Sequence, residues 1–355
     1  MKHLITGAIT AALLASTATT AWAQDATYTL RATANSNEND EDYDGLVVFK
    51  NYVEAASNGA IEVEMFIGTQ LCSTGEECLE GVAEGSIDIY IATSGGTASL
   101  FPFVQVLDLP YLMADDRVAE SVLDNGSPFV ATMRNMVRES SGDTIRLMTI
   151  GNTGGWRNVA NVNKTIHTPD DLAGLKIRTV PAELPQVLAT AWGAAPTAIP
   201  WPELFTSLQT GVVEGTANGI TDIMSMKFPD AGLKYLTLDQ HAYMGALWFM
   251  NNAKFMDMPE DMRKIVADGF YQLQQATFAS PKRKSIDAYA AFTAAGGEVY
   301  VPTAEEKQAF QDAAAPVQDW FRANVDGGPE ALDSLLASVD AVNARLASEY
   351  EIELN

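Results

Sequence analysis

Histidine is scarce in this chain, three residues among 355. His3 falls in the N-terminal segment, and the remaining two, His167 and His241, are too few and too widely spaced for a histidine-rich metal centre. Neither His-Glu-x-x-His nor Cys-x-x-Cys occurs, no Gly-x-Gly-x-x-Gly opens a helix, and no Gly-Lys-Ser/Thr phosphate loop is present. The sequence therefore supports no metal and no cofactor. Positive charge is scarce too: 22 lysines and arginines stand against 46 acids, a formal net charge of −24. That balance argues against nucleic acid or an anionic membrane surface as partner, and it means that any bound anion must meet positive charge concentrated locally. Past the N-terminal segment, no apolar run approaches the roughly 20 residues a membrane-spanning helix needs.

The start of the chain has export chemistry. Lys2 supplies a positive end, residues 5–14 a short apolar run, and Ala21-Trp22-Ala23 a small-residue cleavage site, so residues 1–23 read as a signal peptide and the mature chain as an exported protein starting near Gln24. Only two cysteines occur, Cys72 and Cys78, six apart around Ser73-Thr74-Gly75. A continuous helix would hold them too far apart, but a turn at the glycine brings them into range, and an exported chain meets an oxidising compartment; a small-loop disulfide is expected.

Strand and helix signals alternate from the start. Thr27 to Ala34 alternates as a strand, Tyr43 to Ala56 has helical spacing and stops at Asn58-Gly59, Ile61 to Ile67 is a second strand, and Ile87 to Ala92 a third. The pattern predicts an α/β fold with a doubly wound sheet. Thr144 to Ile150 leads as a strand into Gly154-Gly155, where the backbone freedom of glycine suits a hinge. Residues 115–140, 259–295 and 303–350 read as helices, the second carrying Pro281 as a kink or break.

Three blocks are the most informative. Asp171-Leu-Ala-Gly-Leu-Lys-Ile-Arg178 precedes Pro181; Gly193-Ala-Ala-Pro196 leads to Ile199-Pro-Trp-Pro-Glu-Leu-Phe205; Leu208-Gln-Thr-Gly-Val-Val-Glu-Gly-Thr-Ala-Asn218 follows. Arg178 falls at the carboxyl end of a strand that Pro181 terminates, where ligands bind in open α/β sheets. In this combination the chain resembles the DctP-type solute-binding proteins of tripartite ATP-independent periplasmic (TRAP) transporters. The match departs at the last block, where Glu214-Gly-Thr-Ala-Asn-Gly keeps only the acid, the glycine and the asparagine of the family's Asp-Gly-Gln-Glu-Asn-Pro.

The resemblance implies a two-lobed periplasmic binding protein with a sheet in each lobe and a long helix along both. On it, residues 24–153 and 241–280 form lobe I, residues 154–240 and 281–355 lobe II, with the ligand cleft between. It implies a monomer, not an enzyme, that hands a small organic acid to the small and large TRAP membrane subunits. Arg178 would be the carboxylate clamp, Asn218 a donor to the same anion, Arg157 a second cleft arginine and Trp201 a ring over the ligand. Asn35, on the loop after the first strand, reads as a contact or as part of a solvated acidic loop. Ser94 reads as a hydrogen-bond donor, since Ala92-Thr-Ser94-Gly-Gly lacks the first glycine of a nucleophile elbow. Trp156 and Trp248 read as cleft rings or as core. His241 reads as a packed or capping residue. Two other readings stay open: a receptor of an ABC importer or sensor, and a secreted hydrolase built on paired carboxylates.

Overall fold

In the computed structural model, residues 26–354 are described; the expected signal peptide, 1–23, lies outside the described residues. The alternation at the start becomes β1 (Tyr28–Ala34), whose Leu30, Ala32 and Ala34 are buried. It is followed by β2 (Ile61–Ile67), β3 (Ile89–Thr93), β4 (Ile145–Asn161), β5 (Lys176–Thr179), β6 (Ala195–Ala198), β7 (Gly215–Asn218), β8 (Tyr235–Asn251) and β9 (Glu298–Tyr300). The strands join in the order β2-β1-β3-β8-β4-β7-β5-β6, with β9 on β8. Parallel β-α-β steps build both flanks, while β4 and β8, 17 residues each, run antiparallel through the middle.

Those two strands correct one expectation. The sequence ends a strand at Ile150 and leaves a glycine loop, but β4 continues to Asn161, and the two halves share one sheet. The glycines mark an irregularity within the strand: pairing with β8 breaks between Asn152 and Trp156, and Gly154 and Gly155 take φ of 74° and 80°. Left-handed backbone strains any side chain with a Cβ. A Cβ at Gly154 would also fall 2.4 Å from the Asp222 carboxylate, so the crossing is tightly packed as well as permissive.

The first helix, Glu41–Ala56, opens on Asp40, whose side chain accepts from the Asp42 N–H, and carries Glu41, Asp42 and Asp44 in its first turn. This is the end of a helix that favours negative charge. The long helix, Glu260–Ala294, keeps Pro281 inside it and packs against both the first helix and Ile220–Ser225, spanning the two halves as expected. The C-terminal helix, Gly328–Leu354, departs from the sequence reading. Its buried Leu332, Leu335, Val339 and Leu346 recur at helical spacing and face the helices Asp116–Leu123 and Pro128–Ser140 of the first half. Arg117 and Glu349 pair across that contact at 3.0 Å.

Candidate functional site

The strands carry their cleft residues to a cavity of about 310 Å³ between the halves, walled on one side by Asn35, Asp40, Asp42 and Tyr90, on the other by Arg178, Trp201, Asn218 and Asp222. Its size lies at the small end of ligand pockets, about 300–1,000 Å³. The halves meet around it. Asn37 donates to the Ser225 carbonyl at 3.2 Å, the Leu184 N–H donates to Gln105 at 2.9 Å, and a Cβ at Gly95 would fall 2.0 Å from Val180. These contacts hold the two halves against each other beside the cavity.

Arg178 is 2% exposed. Its Nε donates to the Ile199 carbonyl at 2.9 Å, and the guanidinium carbon lies 5.7 Å from the centre of the Trp201 ring. Among the described residues no carboxylate stands within 4.0 Å of it. Burial, and after it the charge of Arg157, pulls its pKa down to about 9 against the opposing influence of Asp222. At neutral pH the group stays charged, so a buried cation without a carboxylate partner faces the cavity.

Arg157, on β4, is differently placed. Its Nε donates to Asp108 Oδ1 at 3.2 Å and its Nη1 to the Ala217 carbonyl at 3.1 Å, and both partners of the ion pair are buried. Ser94 donates to the other oxygen of Asp108. Ser94 is a hydrogen-bond donor, as its motif suggests, but it is absent from the cavity wall and acts on Arg157 through Asp108. Behind the two arginines lies a mostly apolar chamber of about 40 Å³ walled by Leu172, Leu188 and Trp192.

Asn218 ends β7 on the cavity wall; its Oδ1 accepts from Thr216 at 2.7 Å and its Nδ2 donates to Asp222 at 3.2 Å. Trp201 lines the wall half-buried, edge-on to Phe228. Asn35 lines it too, its amide 3.6 Å from Cys78 Sγ. Cys72 and Cys78 are joined as expected, with Cα atoms 5.2 Å apart. Trp156 and Trp248 lie elsewhere. Trp156 donates to Asp116 at 2.7 Å and packs edge-on against Tyr243, and Trp248 is fully buried in the core beneath the first helix. His241 is packed, held by Asp239 at 2.7 Å and edge-on to Trp192.

A group of four acids was not anticipated. Asp40, Glu41 and Asp42 come from the start of the first helix and Asp222 from Ile220–Ser225, and all four are buried. Burial, then Glu41 and Asp222, pushes the Asp42 carboxyl up to about 8; burial, then Glu41, pushes Asp222 up to about 7; Asp40 and Glu41 are raised as well, chiefly by burial. In the sequence, the run from Glu38 to Asp44 looks like a solvated loop with a helix start. The capping signal is legible there; the burial depends on Asp222, 180 residues later.

The profile of bacterial extracellular solute-binding protein, family 7, named DctP, matches residues 32–324. The 2,3-diketo-L-gulonate-binding periplasmic protein YiaO of Escherichia coli (strain K12) is 29% identical over 325 residues, 89% of this chain and 93% of that protein. The C4-dicarboxylate-binding periplasmic protein DctP of Rhodobacter capsulatus is 27% identical over 281 residues, 78% of this chain and 80% of its own. Among solved structures, the sugar acid binding protein DctPAm of Advenella mimigardefordensis strain DPN7T, in complex with galactonate, superposes with a TM-score of 0.83 at 22% identity, covering 90% of this chain and all of the other. No helix among the described residues is long and apolar enough to cross a membrane. With a cavity between two halves and a family match over most of its length, the chain belongs to the bacterial extracellular solute-binding proteins of family 7.

Proposed function

We propose that this protein captures a small organic acid in the periplasm and delivers it to a TRAP-type membrane permease, with Arg178 as the carboxylate clamp. The observation that carries the reading is the buried guanidinium of Arg178, on the cavity wall and without a carboxylate partner among the described residues. A carboxylate takes two parallel charge-assisted bonds from a guanidinium, and a buried arginine gains most from such a partner. Asn218 and the free edge of Arg157 complete the anion site, and Trp201 covers it. The work is binding and closure, and no bond of the ligand is broken.

Polar groups around the cavity, Asn35, Ser36, Ser73 and Thr74, suit a hydroxylated acid. The relatives' names agree with that chemistry: one binds 2,3-diketo-L-gulonate and one galactonate. The lobes divide at Gly154-Gly155, and we count the C-terminal helix with the first lobe, on which it packs. The test is calorimetry with a panel of sugar acids, dicarboxylates and keto acids on the wild type and on Arg178→Ala. The variant is expected to lose about 2–5 kcal/mol of binding to the best acid. Binding within about tenfold of wild type, a difference of 1.4 kcal/mol, would remove Arg178 from the clamp.

A further inference from the structure

The four buried acids share the cavity with the two guanidiniums, and Asp222 is near enough for its charge to hold up the Arg178 pKa against burial and for Arg157 to hold its own carboxyl down. Asp40, Glu41 and Asp222 each bring an oxygen within 4.8 Å of the others, and Asp40, Asp42 and Asp222 reach the cavity wall. Their internal hydrogen bonds are few: Asp40 Oδ1 accepts from the Asp42 N–H at 3.1 Å and from Thr153 at 3.4 Å, Asp42 Oδ2 from Ser36 at 3.4 Å, and Asp222 Oδ2 from Asn218 at 3.2 Å. Among the described residues no well-aligned hydrogen bond within 3.5 Å reaches either oxygen of Glu41, which is 0% exposed, or Asp42 Oδ1; the Thr221 hydroxyl and the Gly154 N–H stand beside Glu41 and hold its carboxyl down against burial. Buried acceptors are ordinarily satisfied, so carboxyls this concentrated must share protons or take a cation in their place. The cations nearby are engaged elsewhere. Lys284 holds Asp44 at 2.7 Å and the Asn39 carbonyl at 2.8 Å, and Arg157 holds Asp108.

We propose that Asp40, Glu41 and Asp222, with Asp42 beside them, form a cation subsite that is completed as the lobes close. Its ligand is a cation of one of two sources: the ammonium group of a dipolar cargo whose carboxylate sits on Arg178, or a hard metal ion such as Ca²⁺. Carboxylate and hydroxyl oxygens are the donor set such ions prefer. Glu41 and Asp40 come from the first half and Asp222 from the second, so a cation between them favours the closed form over the open one. Thr221 adds one neutral oxygen at the same place.

The ammonium source rests on the reading of the cavity as the cargo site; the metal source does not. The test therefore has two arms on the purified, chelator-stripped protein. In one, CaCl₂, MgCl₂ or NaCl alone is followed by thermal melting and calorimetry. In the other, matched pairs differing by an ammonium group, glutamate against glutarate and 4-aminobutyrate against butyrate, are compared by calorimetry. The expected result is one-to-one binding of a metal ion with a raised melting temperature, or at least about tenfold tighter binding of the ammonium member of a pair. Either effect is expected to vanish in both Glu41→Gln and Asp222→Asn, whose ligand-free melting curves report that they fold. Arg178→Ala, expected to lose the acids and keep the metal effect, separates a failed cargo site from a failed cation subsite. Absence of both effects in the wild type overturns the proposal, and so does persistence of the effect in both variants.

Discussion

The two charge clusters on the cavity solve opposite electrostatic problems. At one, Arg157 is neutralised by Asp108 while Arg178 is left with a carbonyl and a ring. At the other, four acids share a handful of weak hydrogen bonds and no basic partner within 4.0 Å among the described residues. A paired buried charge holds the fold, and removing its partner is costly; an unpaired one is strained in the empty protein and relieved by a ligand. The sharpest way to break this comparison is to remove each arginine in turn. Arg157→Ala strands Asp108 and is expected to cost about 3–5 kcal/mol of stability, seen as a fall in the melting midpoint. Arg178→Ala leaves the Ile199 carbonyl without its donor but no ion-pair partner, so its ligand-free midpoint should fall less than that of Arg157→Ala while acid binding is lost. Equal destabilisation by both would erase the distinction between scaffold and clamp.

The acidic cluster should respond in the opposite sense. Asp42→Asn removes a charge from a crowded, buried place, and the ligand-free protein is expected to melt higher at pH 8, by about 2–4 °C for each kcal/mol gained. The sign with pH follows from the raised carboxyls. Asp42 is pushed from 3.8 up to about 8 and Asp222 from 3.8 up to about 7, so between those limits the folded chain binds protons that the unfolded chain has released. The stability this contributes is full below about pH 4 and is lost as pH rises to about 8. Melting midpoints from pH 5 to 9 check it. In Asp42→Asn the slope should flatten, and an unchanged slope would assign the protons to other groups.

The place of Arg178, Trp201 and Asn218 on the cavity wall was legible because its cues are local. Arg178 sits on a four-residue strand between a capped turn and Pro181, so strand polarity alone puts it at the cleft edge, and Trp201 and Asn218 come from blocks of similar compactness. The disulfide was legible from spacing and a turn. The rest depended on distance in the chain. Trp156 follows Gly154-Gly155 directly, yet the irregularity in β4 turns it toward Asp116 and leaves Arg157 to face the cavity. Nothing near Ser94 announces Asp108, 14 residues on, and nothing near Asp40 announces Asp222. The single sheet was missed for a related reason: two left-handed glycines read locally as a loop, whereas pairing with the full length of β8 carries the strand through them.

Ser94 provides an intermediate test of the scaffold side. Ser94→Ala leaves one oxygen of the buried Asp108 without its donor and is expected to cost about 1–3 kcal/mol of stability. Its effect on acid affinity should be smaller than that of Arg178→Ala, because Ser94 reaches the cavity only through Asp108 and Arg157. A pure loss of affinity with no change in melting would put Ser94 in contact with the ligand instead.

The smallest expected effect belongs to Trp201. Its ring lies over Arg178 at 5.7 Å and is half-buried, so the cation–π attraction is worth about 0.5–2 kcal/mol, and its packing on Phe228 adds to the local core. Trp201→Phe keeps a ring with a weaker face and Trp201→Leu keeps bulk without one. If the ring orients Arg178 for the acid, affinity should fall in the order Trp, Phe, Leu while the melting midpoint tracks only the lost packing. If Phe and Leu bind the acid as tightly as Trp, the ring serves the core of the second half, and Arg178 is oriented by the Ile199 carbonyl alone.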